Sequence, residues 1–260
     1  MNGAIETCYM CDEFATSREH VPPKCIFPEC KDVDGENYRR DLITVPSCEK
    51  HNSKKSKDDE FLMVSTAGII GNNSIGYRHK FGKVDRAIRR SSNRLIEKVF
   101  LKKKHYLIKA EENKFIEVIW GTPDYARLLN CYEHISYGIY RHHFKVRFRG
   151  KLKVMPGYFH KNDENAKTFN EFMRHKTALE LENKDKFGAN TDIFYYQFTD
   201  TDEFGLFLLK LCFYGGLDVY IAFMPEGAKV PFNIGMKFIE TGIKTVIDLD
   251  GKSYVFNKES

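Results

Sequence analysis

The stretch Cys48-Glu49-Lys50-His51, together with the earlier stretch Cys8-Tyr9-Met10-Cys11, decides the fold of the N-terminal region. Each stretch separates two metal-binding side chains by two residues, and such a pair spans one edge of a tetrahedron. The two pairs therefore predict a Cys3His zinc site. Cys25 and Cys30 are alternative ligands, but their spacing and the intervening Ile-Phe-Pro favour burial on a strand face.

The region around this site is polar and rich in turns, with prolines that interrupt helices at positions 22, 23, 28 and 46. Only residues 25–27 and 42–45 have the composition of strands, and residues 49–64 allow a helix. A module this small buries too little apolar surface to fold alone, so a metal ion is expected to hold it together. Five of the seven cysteines precede residue 50, which indicates metal binding in a reducing compartment.

Between the two pairs lies Ser17-Arg18-Glu19-His20-Val21-Pro22-Pro23, and after them comes Asn52-Ser53-Lys54-Lys55. In these residues the chain resembles the HNH, or ββα-metal, nuclease family over roughly residues 6–64. The family has an acidic residue, His and Pro on a first strand, a polar residue before a second strand, and a helix that opens with Cys-x-x-Cys/His-Asn and a nearby Lys. The corresponding positions here are Glu19, His20, Asp41, Leu42, Cys48, His51, Asn52 and Lys55.

The resemblance implies that His20 is the general base and that Glu19 and Asn52 hold a catalytic Mg²⁺ or Mn²⁺ ion. His deprotonates water near neutral pH, and carboxylate and amide oxygens suit a hard divalent cation. Because adjacent strand residues point to opposite faces, Glu19 and His20 require a twisted or bulged strand to converge. The middle residue of the family is usually Asn, whereas this chain offers Asp41, about two residues farther from Asn52 than usual, so the role of Asp41 stays open.

Charge is distributed unevenly along the chain. Residues 1–60 carry nine Lys and Arg against thirteen Asp and Glu, whereas residues 78–109 carry twelve against two. This asymmetry indicates a polyanionic partner, which we expect to be DNA, with RNA as an alternative; a solvated helix face is the other interpretation. A second basic stretch spans residues 141–153, at the basic end of an expected helix. The residues expected to contact nucleic acid are Lys55, Arg86, Arg89, Arg90 and Arg94.

The rest of the chain is expected to mix helices and strands. An apolar stripe of Val84, Ile88, Leu95 and Val99 predicts a basic helix over residues 78–102, and a second helix is expected over residues 124–143. Strands are expected at 106–108, 115–120, 146–154, 193–198, 206–213 and 219–223, with a hairpin of 245–249 and 253–256. We therefore expect an α+β chain: a zinc-stapled ββα-metal module at 1–66, a hinge and basic helix at 67–104, and a mixed α/β domain with mostly antiparallel strands at 105–260.

The expected function is that of an HNH endonuclease with structural Zn²⁺ and catalytic Mg²⁺ or Mn²⁺, acting in defence against foreign DNA. The alternatives are a non-catalytic zinc-dependent nucleic-acid-binding or adaptor protein, and an HNH nuclease that acts on RNA. No stretch approaches the ~20 apolar residues of a membrane span, and no signal peptide opens the chain, so a cytoplasmic protein with no membrane partner is expected. The second domain is the expected binding place of an activating ligand or partner protein.

Overall fold

The computed structural model describes residues 6–52, 56–111, 114–158, 163–229 and 233–258. The chain divides into two compact units: Met1–Phe148 with Phe213–Gly216, and Arg149–Cys212 with Leu217–Ser260. The expected fold class is confirmed at the level of mixed α+β with antiparallel sheets. The observed grouping differs from the expected boundaries, because residues 67–148 belong to the same unit as the N-terminal region. None of the helices in the described ranges combines the length and the hydrophobicity that a membrane span requires.

The first unit begins with a small hairpin followed by helices. Strand β1 (Ser17–His20) pairs antiparallel with β2 (Thr44–Ser47), and helix α1 (Glu49–Asn52) follows β2 directly. Helix α2 (Ser56–Ala67) comes next, and its Phe61, Leu62 and Met63 are buried. The helix that was expected over residues 49–64 is helical in its described residues, 49–52 and 56–64, and residues 53–55 lie outside the described residues.

Two expectations about the segment between the strands are wrong. Residues 25–27 do not form a strand, because Lys24–Ile26 is a 3-10 helix that starts directly after the consecutive prolines. Cys30 is exposed in a second 3-10 helix (Cys30–Asp32) and Cys25 is only half-buried, so neither lies on a buried strand face. The Cys25 thiol donates a hydrogen bond to the Asp59 carbonyl oxygen, 3.2 Å away.

The expected basic helix is present as several short helices. These are α3 (Ser74–His79), a π-helical turn (Lys80–Val84), α4 (Asp85–Arg90) and α5 (Arg94–Val99). The break between α4 and α5 lies where Ser92 and Asn93 adopt positive φ angles of 52° and 65°. Asn is tolerant of the left-handed region, and Ser and Asn both favour turns over helix interiors. The predicted apolar stripe is confirmed, since all four of its residues are buried.

A long hairpin and a long helix complete the first unit. Strand β3 (Phe100–Glu111) pairs antiparallel with β4 (Lys114–Pro123), which extends both strands predicted there. Helix α6 (Tyr125–Phe144) is capped at its N-terminus by the Asp124 side chain, which accepts from the Arg127 amide. The predicted helix over residues 124–143 is confirmed, and α6 packs against α2 and β2.

The second unit contains a four-stranded sheet in the order β5-β8-β7-β6. Its strands are β5 (Gly150–Pro156), β6 (Phe194–Phe198), β7 (Phe207–Phe213) and β8 (Leu217–Pro225). Two helices that the sequence did not predict, α7 (Glu164–Leu181) and α8 (Ile234–Glu240), accompany it. The predicted terminal hairpin is confirmed as β9 (Thr245–Leu249) and β10 (Lys252–Phe256), and α7 packs against β10.

Candidate metal centre and the adjoining strand face

Cys8, Cys11, Cys48 and His51 lie together, with one ligand atom of each within 4.8 Å of all the others. The Sγ atoms of Cys11 and Cys48 are 3.7 Å apart. The Nδ1 atom of His51 is 3.4 Å, 3.5 Å and 3.3 Å from the Sγ atoms of Cys8, Cys11 and Cys48. The predicted metal-binding group is therefore present, and it is close enough to hold one ion.

The spacing of these atoms suits zinc. Zn–S bonds of about 2.3 Å in a tetrahedron place two sulfur atoms about 3.8 Å apart, close to the distance between Cys11 and Cys48. Burial opposes ionisation of Cys8, but backbone amides near its sulfur lower the pKa of this thiol. Burial raises the pKa of the Cys48 thiol to about 12. A divalent cation would overcome that effect, because coordinated thiols are deprotonated. The donor set thus matches a closed structural zinc site.

The local backbone explains why the four ligands meet. The amide of Cys8 donates to the Glu13 carbonyl oxygen at 2.8 Å, which closes the turn that carries the first pair. The amide of Tyr9 donates to the Pro46 carbonyl oxygen at 2.9 Å, which joins this turn to β2. Because α1 starts one residue after Cys48, His51 lies about one helical turn beyond Cys48 and on the same side of the helix as the metal group. The ring of the fully buried Tyr9 packs edge-on against His51, with centroids 6.3 Å apart.

Strand β1 connects this centre to the residues expected to carry catalysis. The Asn52 Nδ2 atom donates to the Ser17 hydroxyl at 2.8 Å, so the end of α1 contacts β1. Glu19 is buried, with 6% of its surface exposed, whereas His20 is half-buried and lies opposite Thr44. Burial lowers the pKa of His20, the nearby Lys24 adds to this, and Glu19 opposes it. The lowered pKa favours the neutral form of the His20 ring.

The strand does not contain the bulge that was expected to bring Glu19 and His20 together. The four residues of β1 pair one-to-one with β2, so Ser17 and Glu19 point to one face, and Arg18 and His20 to the other. Asn52 reaches the face of Ser17 and Glu19. The structure therefore brings Asn52 to the Glu19 side of β1, and it does not place His20 on that side. Asp41 is exposed, has a positive φ of 53° and lies before β2, so its role stays a prediction.

Arg18 shares a face of β1 with His20, and nothing in the sequence indicated this position. Its Nε donates to the Thr44 hydroxyl at 3.0 Å, and its Nη2 donates to the Thr44 carbonyl oxygen at 3.0 Å. Its Nη1 is 3.3 Å from the Glu6 carboxylate, and Nη2 of Arg141 on α6 is 3.8 Å from the same carboxylate. The only sequence signal for this group was the excess of cations after Arg141, which gives no indication of β1.

The residues expected to contact nucleic acid differ in their surroundings. Lys55 lies outside the described residues. The guanidinium of Arg86 binds both oxygens of Asp32 at 2.6 Å and 2.8 Å and also reaches Glu29 at 3.1 Å. This ion pair lowers the pKa of Asp32 and raises that of Arg86. Arg86 therefore links α4 to the 3-10 helix, whereas Arg89, Arg90 and Arg94 are exposed.

The chain matches no protein-family model, no curated protein and no solved structure.

Proposed function

We propose that this protein is a metal-dependent endonuclease that hydrolyses the phosphodiester backbone of DNA, with His20 as the general base. The observation that carries the proposal is the order of β1, β2 and α1 around the Cys3His group, which holds Asn52 against the strand that bears Glu19 and His20. A purely structural zinc module requires none of these three residues. The assignment to the ββα-metal family rests on this arrangement and on the sequence resemblance.

His20 is suited to accept a proton from the attacking water. Its lowered pKa favours the neutral ring, which has a nitrogen free to accept a proton, and the side chain is half-buried. General base catalysis of this kind contributes roughly 10²–10⁴ in rate. The zinc ion has a separate task, since it fixes α1 and the N-terminal turn against the hairpin.

Glu19 and Asn52 would hold the catalytic Mg²⁺ or Mn²⁺ ion. They approach the same face of β1 and offer a carboxylate and an amide oxygen, and two protein oxygens are a common ligand set for Mg²⁺. Such an ion, when bound, offsets the charge of the phosphate and stabilises the departing oxygen. Glu19 is buried close to Tyr9. The burial of Tyr9, followed by the negative charge of Glu19, raises the pKa of the Tyr9 hydroxyl.

The test compares cleavage of plasmid DNA by the wild type and by three variants, with Mg²⁺ or Mn²⁺ added. His20→Ala is expected to lose at least about a hundredfold in rate, because the variant lacks the proposed general base. Glu19→Ala and Asn52→Ala are expected to lose activity and to recover in part at high Mn²⁺, because mass action offsets weaker metal binding. His175→Ala, on α7 of the second unit and outside the basic stretch, is the matched control and should cut normally.

Two outcomes would contradict the proposal: cleavage by His20→Ala at the wild-type rate, or a zinc-loaded wild type that cuts neither DNA nor RNA with either metal. The second outcome would favour a zinc-dependent nucleic-acid-binding or adaptor protein. The regular pairing of β1 supports that alternative, because it directs Glu19 and His20 to opposite faces. Cleavage of RNA alone would keep the chemistry and change the substrate.

A further inference from the structure

A single carboxylate lies between two arginines beside the candidate catalytic strand. Glu6 Oε2 is 3.3 Å from Arg18 Nη1, and Glu6 Oε1 is 3.8 Å from Arg141 Nη2. The two guanidinium groups come from β1 and α6, elements that are more than a hundred residues apart. Two cations thus face one anion, which leaves this group of three side chains with a positive charge.

Arg18 is oriented toward the face of β1 that carries His20. Residues 18 and 20 of a regularly paired strand share a face, and Thr44 lies directly opposite His20. Because the Arg18 guanidinium donates twice to Thr44, it is held next to the position of the His20 ring. The Arg18 side chain is nevertheless 56% exposed, so a ligand can reach it.

The C-terminus of α6 adds one further cation, Lys145. Arg141 also donates to the Lys145 carbonyl oxygen at the C-terminus of α6, which fixes its side chain. His142 follows Arg141 on the same helix. The pKa of His142 is lowered first by burial and then by the charges of Lys145, His143 and Arg18, so these groups lie close together. The end of α6 and the Arg18 face of β1 therefore form one basic surface.

We propose that Arg18 and Arg141 form a binding subsite for a backbone phosphate of DNA adjacent to the scissile bond, and that Glu6 occupies this subsite until DNA displaces it. Guanidinium groups bind phosphate through paired charge-assisted hydrogen bonds, in the same manner as they bind a carboxylate. The Glu6–Arg18 pair at 3.3 Å is exposed on both sides and is exchanged at low cost, since exposed ion pairs contribute only about 0.2–1 kcal/mol. The Arg141 side chain is 18% exposed, and its longer contact with Glu6, 3.8 Å, leaves the guanidinium open to a closer ligand. The choice of DNA as the ligand rests on the proposed function.

The experiment measures binding of fluorescein-labelled duplex DNA to the zinc-loaded full chain over a range of salt concentrations, by anisotropy. All chains carry His20→Ala and no Mg²⁺ is added, so that the DNA stays intact. The variants are Arg18→Gln, Arg18→Lys, Arg141→Gln and Glu6→Gln. Lys167→Gln is the matched control for one lost positive charge, because Lys167 pairs with Glu164 within α7. Thermal unfolding of each variant shows whether it folds.

Each Arg→Gln variant is expected to reduce the slope of log affinity against log salt by about 0.9, the value for one lost phosphate contact. Arg18→Lys should retain the slope. Glu6→Gln should bind DNA about two- to fivefold more tightly, because the competing carboxylate is gone. A merely structural role of the ion pair predicts the opposite sign for Glu6→Gln. The Lys167→Gln slope should equal that of the parent.

The proposal is overturned if folded Arg18→Gln and Arg141→Gln keep the parental slope, if Glu6→Gln binds more weakly, or if the parent binds no DNA. Its failure is distinguishable from failure of the proposed function. If the wild type cuts DNA and Arg18→Gln binds and cuts DNA equally well, the subsite is rejected and the nuclease function is kept. If the wild type cuts no DNA but binds it, and the arginine variants reduce the salt slope as expected, the subsite is kept and the nuclease function is rejected.

Discussion

The side-chain amide of Asn52 donates a hydrogen bond to the hydroxyl of Ser17 at 2.8 Å, and this contact joins the end of α1 to the start of β1. It holds the amide on the face of β1 that also carries Glu19. Under the proposed function, Ser17 is therefore a positioning residue for a metal ligand.

Replacement of Ser17 by Ala is expected to raise the Mg²⁺ concentration for half-maximal cleavage. A hydrogen bond of this kind contributes about 1 kcal/mol, which corresponds to about a fivefold change in apparent affinity. Zinc content should stay at the wild-type value. Ser65→Ala is the matched control, because the Ser65 hydroxyl donates to its own helix at Phe61. Equal Mg²⁺ dependence in both variants would show that Ser17 does not position a metal ligand.

Zinc analysis should find one ion per chain in the wild type and none in the double variant Cys11→Ser, Cys48→Ser. The matched control is Cys25→Ser, Cys30→Ser, which removes two thiols outside the metal group. Loss of zinc is expected to unfold the hairpin β1–β2, because the metal group joins it to α1, and limited proteolysis should detect this. Zinc retained by the first double variant would contradict the site.

Gly138 on α6 is expected not to tolerate alanine. An added Cβ would lie 2.6 Å and 2.8 Å from the two methyl groups of Val21, which is buried and follows His20. Overpacking of this kind costs about 1–3 kcal/mol, partly offset by the higher helix propensity of alanine, about 1 kcal/mol. Urea unfolding of Gly138→Ala, of Val21→Ala and of the double variant should show that the double variant is more stable than the sum of the single effects predicts. Additive effects would mean that the two residues do not conflict.

The stability of the first unit should fall as the pH decreases from about 6.5 to about 4. His79 is fully buried, its Nε2–H donates to the Cys25 carbonyl oxygen at 3.1 Å, and its Nδ1 has no hydrogen-bond partner among the described residues. Burial, with a smaller effect from Lys83, lowers its pKa to about 4. Between these pH values the unfolded chain binds a proton that the folded chain does not, so the stabilisation is complete above pH 6.5 and decreases below it.

Urea unfolding at a series of pH values should show a smaller loss of stability for His79→Gln than for the wild type, by up to about 3 kcal/mol. Glutamine keeps an N–H donor and does not titrate. His105→Gln, at an exposed position, should follow the wild type. Because protonation of the zinc ligands affects all three chains equally, only the difference between them reports on His79. Parallel curves for the wild type and His79→Gln would contradict the prediction.

The basic residues of α4 and α5 should separate into two groups. Arg89→Gln, Arg90→Gln and Arg94→Gln are expected to reduce the salt dependence of DNA binding, because these side chains are exposed. Arg86→Gln is expected instead to lower the melting temperature, because it leaves Asp32, a largely buried carboxylate, without its main partner. An Arg86→Gln variant with wild-type stability and a reduced salt slope would reverse this assignment.

Several features were predictable from local sequence alone. The paired spacing of Cys and His identified all four members of the metal group, because short turns bring residues three positions apart within reach of one ion. The helix predicted over residues 124–143 and the hairpin predicted at 245–249 and 253–256 were likewise read from local sequence, and they correspond to α6 and to β9–β10. The break at Ser92 and Asn93 was missed, since positive φ angles outside glycine leave only a weak compositional signal.

The sequence by itself determined the four members of the metal-binding group, because these depend on spacing within a few residues, whereas a strand at Glu19 and His20 was expected only from the family resemblance. The tertiary structure alone decided which faces those residues share. One-to-one pairing of β1 with β2 separates Glu19 from His20, and it places Arg18 beside His20. Arg141 and Glu6 meet Arg18 only because α6 packs against the hairpin, and Tyr214 reaches the Ile26 carbonyl oxygen across 188 residues. Such contacts depend on burial and shape complementarity between distant segments, which local periodicity does not encode.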